Sequence, residues 1–92
     1  MPILNQHVIL NTSTATLIAG RDNMPQDVII HDAEHSESTV VFLGNESVTA
    51  ANGLHLHSAE TIQMTLGPND ELWAIAGSGT PTVHVVRIQK TD

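Results

Sequence analysis

Short runs of β-branched and aliphatic residues recur along this chain, each closed by a cluster of Gly, Pro, Asn, Asp, Ser or Thr. That recurrence constrains the fold more than any other feature of the sequence. No segment carries a helical period of useful length, and the nearest, residues 47–51, is too short to be stable alone. The runs at residues 6–10, 16–18, 27–31, 39–43, 54–57, 60–66, 71–76 and 82–89 therefore predict strands. About eight strands at a spacing of roughly 8–12 residues predict an all-β chain, a small antiparallel β-sandwich or jelly-roll-like barrel. Two layers are expected because a sheet with an apolar face has to bury it.

Residues 61–76 carry the clearest strand signals. Ile62, Met64 and Leu66 alternate with Thr61, Gln63 and Thr65, the period-2 pattern of a half-buried strand. Gly67, Pro68, Asn69 and Asp70 then supply a turn, Pro68 presetting φ and Asn69 or Asp70 bonding nearby amides. Residues 72–76 are an apolar run suited to a strand covered on both faces. Together they predict a hairpin that sets Trp73, the one tryptophan, at the centre of the core. Residues 39–43, the most hydrophobic run, predict another central strand. Asn52-Gly53, directly before Leu54, has the two-residue hairpin signature, with residues 48–51 as the brief partner. Residues 20–26 and 32–38 read as exposed loops.

At 92 residues, with Phe42 and Trp73 as its two aromatic residues, the chain is expected to form one domain with an aliphatic core. A domain of this size buries roughly 60–70% of the surface its unfolded chain exposes, a thin margin that self-association would widen. Residues 1–6 are expected as a flexible arm and residues 90–92 as a frayed tail. Ten acidic residues against Arg21, Arg87 and Lys90 give a formal charge of −7, and without a basic cluster nucleic acid is not an expected partner. No run approaches the roughly 20 apolar residues of a membrane span, and no charged segment leads into a long apolar one, so synthesis in the cytoplasm is expected. The absence of cysteine removes disulfides, thiolate metal sites and cysteine nucleophiles. Asn11-Thr12-Ser13 and Asn45-Glu46-Ser47 match the glycosylation acceptor pattern but read as surface turns.

Six histidines invite a search for metal or acid–base chemistry. His55 and His57 share one face of a predicted strand, with Glu60 three residues on. This resembles part of the cupin metal motif, in which two His, a Glu and a distant His hold a divalent ion. The His-to-Glu gap is short for that motif, and His84 is the sole late candidate for the distant ligand. In the simpler reading His55 and His57 are the solvent side of a strand whose other side is Leu54 and Leu56. His31 and His35 flank Asp32 and Glu34, but without an amphipathic helix they form no zincin-type pair. No Gly-x-Ser-x-Gly elbow accompanies the chain's Ser, His and Asp residues. Neither a catalytic residue nor a cofactor is expected.

From Leu17 to Ile88 the chain resembles a group of small β-sandwich proteins in the virions of tailed bacteriophages. The resemblance is carried by Val28-Ile29-Ile30, Thr39-Val40-Val41-Phe42-Leu43-Gly44, Asn52-Gly53-Leu54-His55-Leu56, Glu60-Thr61-Ile62, the run from Leu66-Gly67-Pro68 to Trp73-Ala74-Ile75-Ala76, and Ser78-Gly79-Thr80. Where that group usually has Gly before the Glu, this chain has Ala59. The resemblance implies a non-enzymatic virion structural protein: a capsid decoration protein, often trimeric, on the outer face of the head, with the major capsid protein as partner. Arg21 and the residues before His7 are the candidate contacts, since a small sandwich reaches its partner through loops or a terminus. A tail or baseplate adhesion module that binds host glycan is the alternative, followed by a cupin-like metal protein on His55, His57 and Glu60.

Overall fold

The computed structural model describes residues 3–33, 40–57 and 59–89. Eight strands run in chain order: β1 (Ile3–Ile9), β2 (Thr16–Ala19), β3 (Gln26–Asp32), β4 (Val40–Gly44), β5 (Leu54–His57), β6 (Thr61–Leu66), β7 (Leu72–Ala76) and β8 (Thr82–Gln89). They pair antiparallel into two four-stranded sheets, ordered β1-β8-β3-β6 and β2-β7-β4-β5. Consecutive strands mostly alternate between the sheets, which is the jelly-roll form of the β-sandwich. No helix occurs among the described residues.

The core lies between the sheets. Val28 and Ile30 on β3 and Val83 and Val85 on β8 face Val41 and Leu43 on β4 and Ala74 and Ala76 on β7, all fully or almost fully buried. The alternation in β3 and β6 follows from this geometry, because one face of each strand looks inward and the other to solvent. The continuous apolar runs of β4 and β7 have a second cause. On the outer face of their sheet Phe42, Ile75 and Val48 form a smaller cluster, with Ala15, Val40 and Trp73 packed against it. Both strands are interior to their sheet and apolar on both sides, as the sequence predicts.

Three expectations are corrected. Residues 61–76 are not a hairpin: β6 pairs with β3 in one sheet, whereas β7 pairs with β2 and β4 in the other. The Gly67–Asp70 turn does form, with Asp70 N–H donating to the Gly67 carbonyl at 3.2 Å and Gly67 N–H to Asp70 Oδ2 at 3.0 Å, but it carries the chain from one sheet to the other. Trp73 is half-buried on the outer face rather than at the core's centre. Asn52-Gly53 is likewise no two-residue hairpin. β5 pairs with β4 across a long loop, and residues 48–51 form no strand.

The ends of the sandwich also differ from expectation. Ile3, Leu4, Asn5 and Gln6 are not a free arm but the first half of β1, in register with Ile88, Arg87, Val86 and Val85. The tail at residues 90–92 lies outside the described residues. The loop after β2 is pinned by Asp22: its carboxylate accepts from Met24 N–H at 3.0 Å and Gln89 Nε2 at 2.9 Å, and its carbonyl from Asn69 N–H at 2.7 Å. Ala59, at the position where the resembling group has Gly, has φ of 63°. A Cβ is strained in that left-handed region by roughly 1–2 kcal/mol, of which the added freedom of glycine in the unfolded chain offsets part. Ala59→Gly is therefore expected to raise stability by about 0.5–1 kcal/mol in denaturant unfolding, and a loss of stability would mean that the Ala59 methyl makes contacts outweighing the strain.

Candidate interaction surfaces

The five described histidines divide between the two outer faces. His55 and His57 project from β5 on the outside of the second sheet, where His55 meets the Phe42 ring edge-on with centroids 4.9 Å apart and the His57 ring lies 6.0 Å from that of His55. Glu60 Oε1 accepts the His57 backbone N–H at 2.6 Å and approaches its ring Nδ1 at 3.0 Å. The backbone donor, foremost, holds the Glu60 carboxyl below the usual carboxylate range, with the His57 ring acting in the same direction against partial desolvation. Glu60 closes the turn between β5 and β6. His84, the proposed distant ligand, stands on β8 in the opposite sheet, so the cupin-like set is not brought together. Among the described residues no group of three or more His, Asp or Glu is arranged to hold a metal ion.

A second group was not legible in the sequence. His7, His84 and His31 occupy one row across β1, β8 and β3 on the outer face of the first sheet. His7 and His84 stack with centroids 4.0 Å apart and planes 13° from parallel, and His31 lies 6.2 Å from His84 while its Nδ1 bonds Thr61 Oγ1 at 2.8 Å. The spacing follows from the ladder. Leu10 N–H donates to the Pro81 carbonyl, so in that antiparallel alternation His7 and His84 are a non-hydrogen-bonded pair, where side chains approach most closely. His35, the other member of the His31–His35 pattern, lies outside the described residues.

Arg21 lies in the loop after β2 with its side chain 69% exposed and its Nε 3.4 Å from Glu71 Oε2. Glu71 Oε1 in turn accepts from Trp73 Nε1 at 3.4 Å. Such an exposed pair contributes little stability, and the guanidinium stays open to an external partner. A shallow depression lined by Gly44, Asn45, Val48 and Asn52 offers two carboxamides and no acid, base or nucleophile.

The apolar surface is concentrated on one side. Of the exposed large hydrophobic residues among those described, Ile3, Leu4 and Ile9 belong to β1 and Leu17 to β2, the two edge strands joined by the hydrogen bond from Gln6 Nε2 to the Ile18 carbonyl at 3.1 Å; Leu54 lies elsewhere, on β5.

The fold thus defines a small jelly-roll protein that presents edges, loops and sheet faces to its surroundings. No family model matches the chain, and no curated protein sequence matches it. Among solved structures it is similar to a chain of the Bacillus endospore appendages, described as a novel family of disulfide-linked pili, with a TM-score of 0.52 and 12% identity over 97% of this chain and 89% of that one. At that identity the likeness concerns the fold alone.

Proposed function

We propose that the chain is a non-enzymatic structural subunit of a larger protein assembly, and specifically a capsid decoration protein that binds the outer face of an assembled tailed-phage head, with the major capsid protein as its partner. The observation that carries this reading is the run of strand and turn motifs between Leu17 and Ile88 that resembles such virion proteins, folded here into an eight-strand sandwich. The concentration of unpaired apolar surface on an edge supports it too, since a subunit that works by association needs surfaces rather than a catalytic cleft. A decoration protein braces its shell by mass action: it binds the assembled lattice and not the separated subunits, and so shifts the equilibrium toward the lattice. Many copies, each contacting several capsomers, add the effective-concentration gain of multivalency. Arg21, exposed on its loop, is the proposed contact.

Purified protein mixed with mature heads lacking it is expected to bind saturably and raise the temperature at which the heads release their contents, and Arg21→Glu is expected to weaken that binding. Heads left bare would overturn the assignment. A glycan-adhesion module is the second reading, supported by Trp73 standing half-exposed on an outer sheet face with its indole N–H near Glu71. It requires binding to host polysaccharide that Trp73→Ala abolishes.

A further inference from the structure

We infer that β1 is a self-association edge, along which two copies of this chain join antiparallel about a twofold axis into one continuous eight-stranded sheet. The inference stands apart from the capsid reading and rests on three observations about Ile3–Ile9.

The edge is open and unprotected. β1 is terminal in its sheet, and it carries no charged residue and no proline over its length. Natural sheets shield their edges by shortness, bulges, charge or proline. β2 uses two of these devices, being four residues long with a register shift between Leu17 and Ala19, and its Ile18 carbonyl is capped by Gln6. β5 is also four residues long; β6, like β1, has none of these devices, but it turns Thr61, Gln63 and Thr65 outward where β1 turns Ile3 and Ile9. β1 uses none of them and leaves Ile3 61% and Ile9 68% exposed.

The backbone polarity is suitably directed. The bond from Leu10 N–H to the Pro81 carbonyl sets the alternation, so that Leu4, Gln6 and Val8 bond to β8 while the N–H and C=O groups of Ile3, Asn5, His7 and Ile9 point away from the sheet. Of the twofold registers that use those outward groups, the one centred on Gln6 pairs the whole strand. It places Ile3 opposite Ile9 of the second copy and Asn5 opposite His7 of the second copy, and forms about eight backbone hydrogen bonds. The most exposed apolar side chains of each copy then cover those of the other, and Leu4 meets Val8 on the inner side.

The self-complementary register points to a second copy as the occupant, and charge permits it. The chain carries −7 overall, so two copies meet at least cost through a surface poor in carboxylates. On the outer face of the β1 sheet Asp27 is the one carboxylate among the described residues, and it is bonded to Thr65 on the far strand β6, whereas Asp22, Glu46, Glu60, Asp70 and Glu71 lie in the loops between strands. A twofold contact is self-complementary and closes on itself, so it yields dimers and not fibres. The phage resemblance implies a threefold assembly, and the two differ in a measurable way.

Sedimentation equilibrium of the full chain is expected to show a dimer. Asn5→Pro removes two outward N–H groups per dimer without touching a bond to β8, and proline is accommodated at such an edge position. It is expected to weaken the dimer by about thirtyfold, the equivalent of two ordinary hydrogen bonds. Ile9→Lys, an exposed substitution that keeps the fold even if the proline does not, is expected to weaken it similarly, whereas Gln63→Lys on β6 leaves it unchanged. Oxidation of Gln6→Cys is expected to cross-link the dimer, because residue 6 faces its own copy, and oxidation of Asn5→Cys is not. A monomeric or trimeric wild type, or a dimer indifferent to both Asn5→Pro and Ile9→Lys, would overturn the inference.

Discussion

Ile30→Ala is expected to lower the unfolding free energy by about 3–4 kcal/mol, and Trp73→Ala by about 1–2 kcal/mol, although the tryptophan is much the larger side chain. Ile30 is fully buried on β3, between Val85 on β8 and Ile62 on β6, and beneath it lies the opposite sheet. Truncation there removes three carbons from a site whose walls are two hydrogen-bonded sheets, which cannot collapse into the space. Trp73 stands on an outer face, where part of its ring is already in water and the loop after β4 can settle over the gap. Against a total of roughly 5–15 kcal/mol, the Ile30 loss is a large fraction of stability, and each kcal/mol moves the melting temperature of a domain this size by about 4–8 °C. Placing Trp73 at the core's centre predicts the reverse order, with about 3–5 kcal/mol lost at the tryptophan. Paired denaturant unfolding curves distinguish the two, and a Trp73→Ala variant less stable than Ile30→Ala would show that the outer cluster, not the space between the sheets, holds the fold together.

Gly53→Ala is expected to cost about 3 kcal/mol, more than single methyl additions usually do. A Cβ at Gly53 would lie 2.5 Å from Phe42 Cβ, 2.8 Å from Val48 Cγ2 and 3.2 Å from the Thr49 carbonyl oxygen. The nearest of these is the root of a side chain on the interior strand β4, so relief requires movement of backbone and not rotation of a flexible tip. The Thr49–Gly53 turn is itself held, with Gly53 N–H donating to the Thr49 carbonyl at 3.0 Å and Thr49 N–H to Asn52 Oδ1 at 2.8 Å. Gly79 gives the contrast. Its φ is 63° and nothing lies within 4 Å of an added Cβ, so Gly79→Ala is expected to cost only the left-handed backbone penalty of about 1 kcal/mol. A Gly53→Ala variant no less stable than Gly79→Ala would mean that the β4–β5 loop yields freely and that Phe42 is not clamped beneath it.

Asn52-Gly53 shows why a motif can be recognised and its cause misassigned. The pair has the composition of a tight hairpin, but Gly53 is required by the close passage of Phe42, and no two-residue turn forms there. The same holds for Gly67-Pro68-Asn69-Asp70. Its residues specify a chain reversal through local bonds, and these bonds are the same whether the next strand returns beside its predecessor or crosses to the facing sheet.

The sequence by itself determined what depends on neighbours in the chain: eight short strands, turns where Gly, Asn and Asp supply them, the half-buried alternation of β6 and the two-sided burial of β4 and β7. Each of these is written in periods of two or in turn chemistry within a few residues. It also placed His55 and His57 together on one face of a strand, because a separation of two residues suffices. Only the tertiary structure decided which strands share a sheet, that Trp73 lies outside the main core, that Ile3–Gln6 extend an open edge, and that His7, His31 and His84 stand in one row. Those facts are set by inter-strand register between residues far apart in the chain, and a one-residue slip in any ladder would have turned the same side chains to the other face.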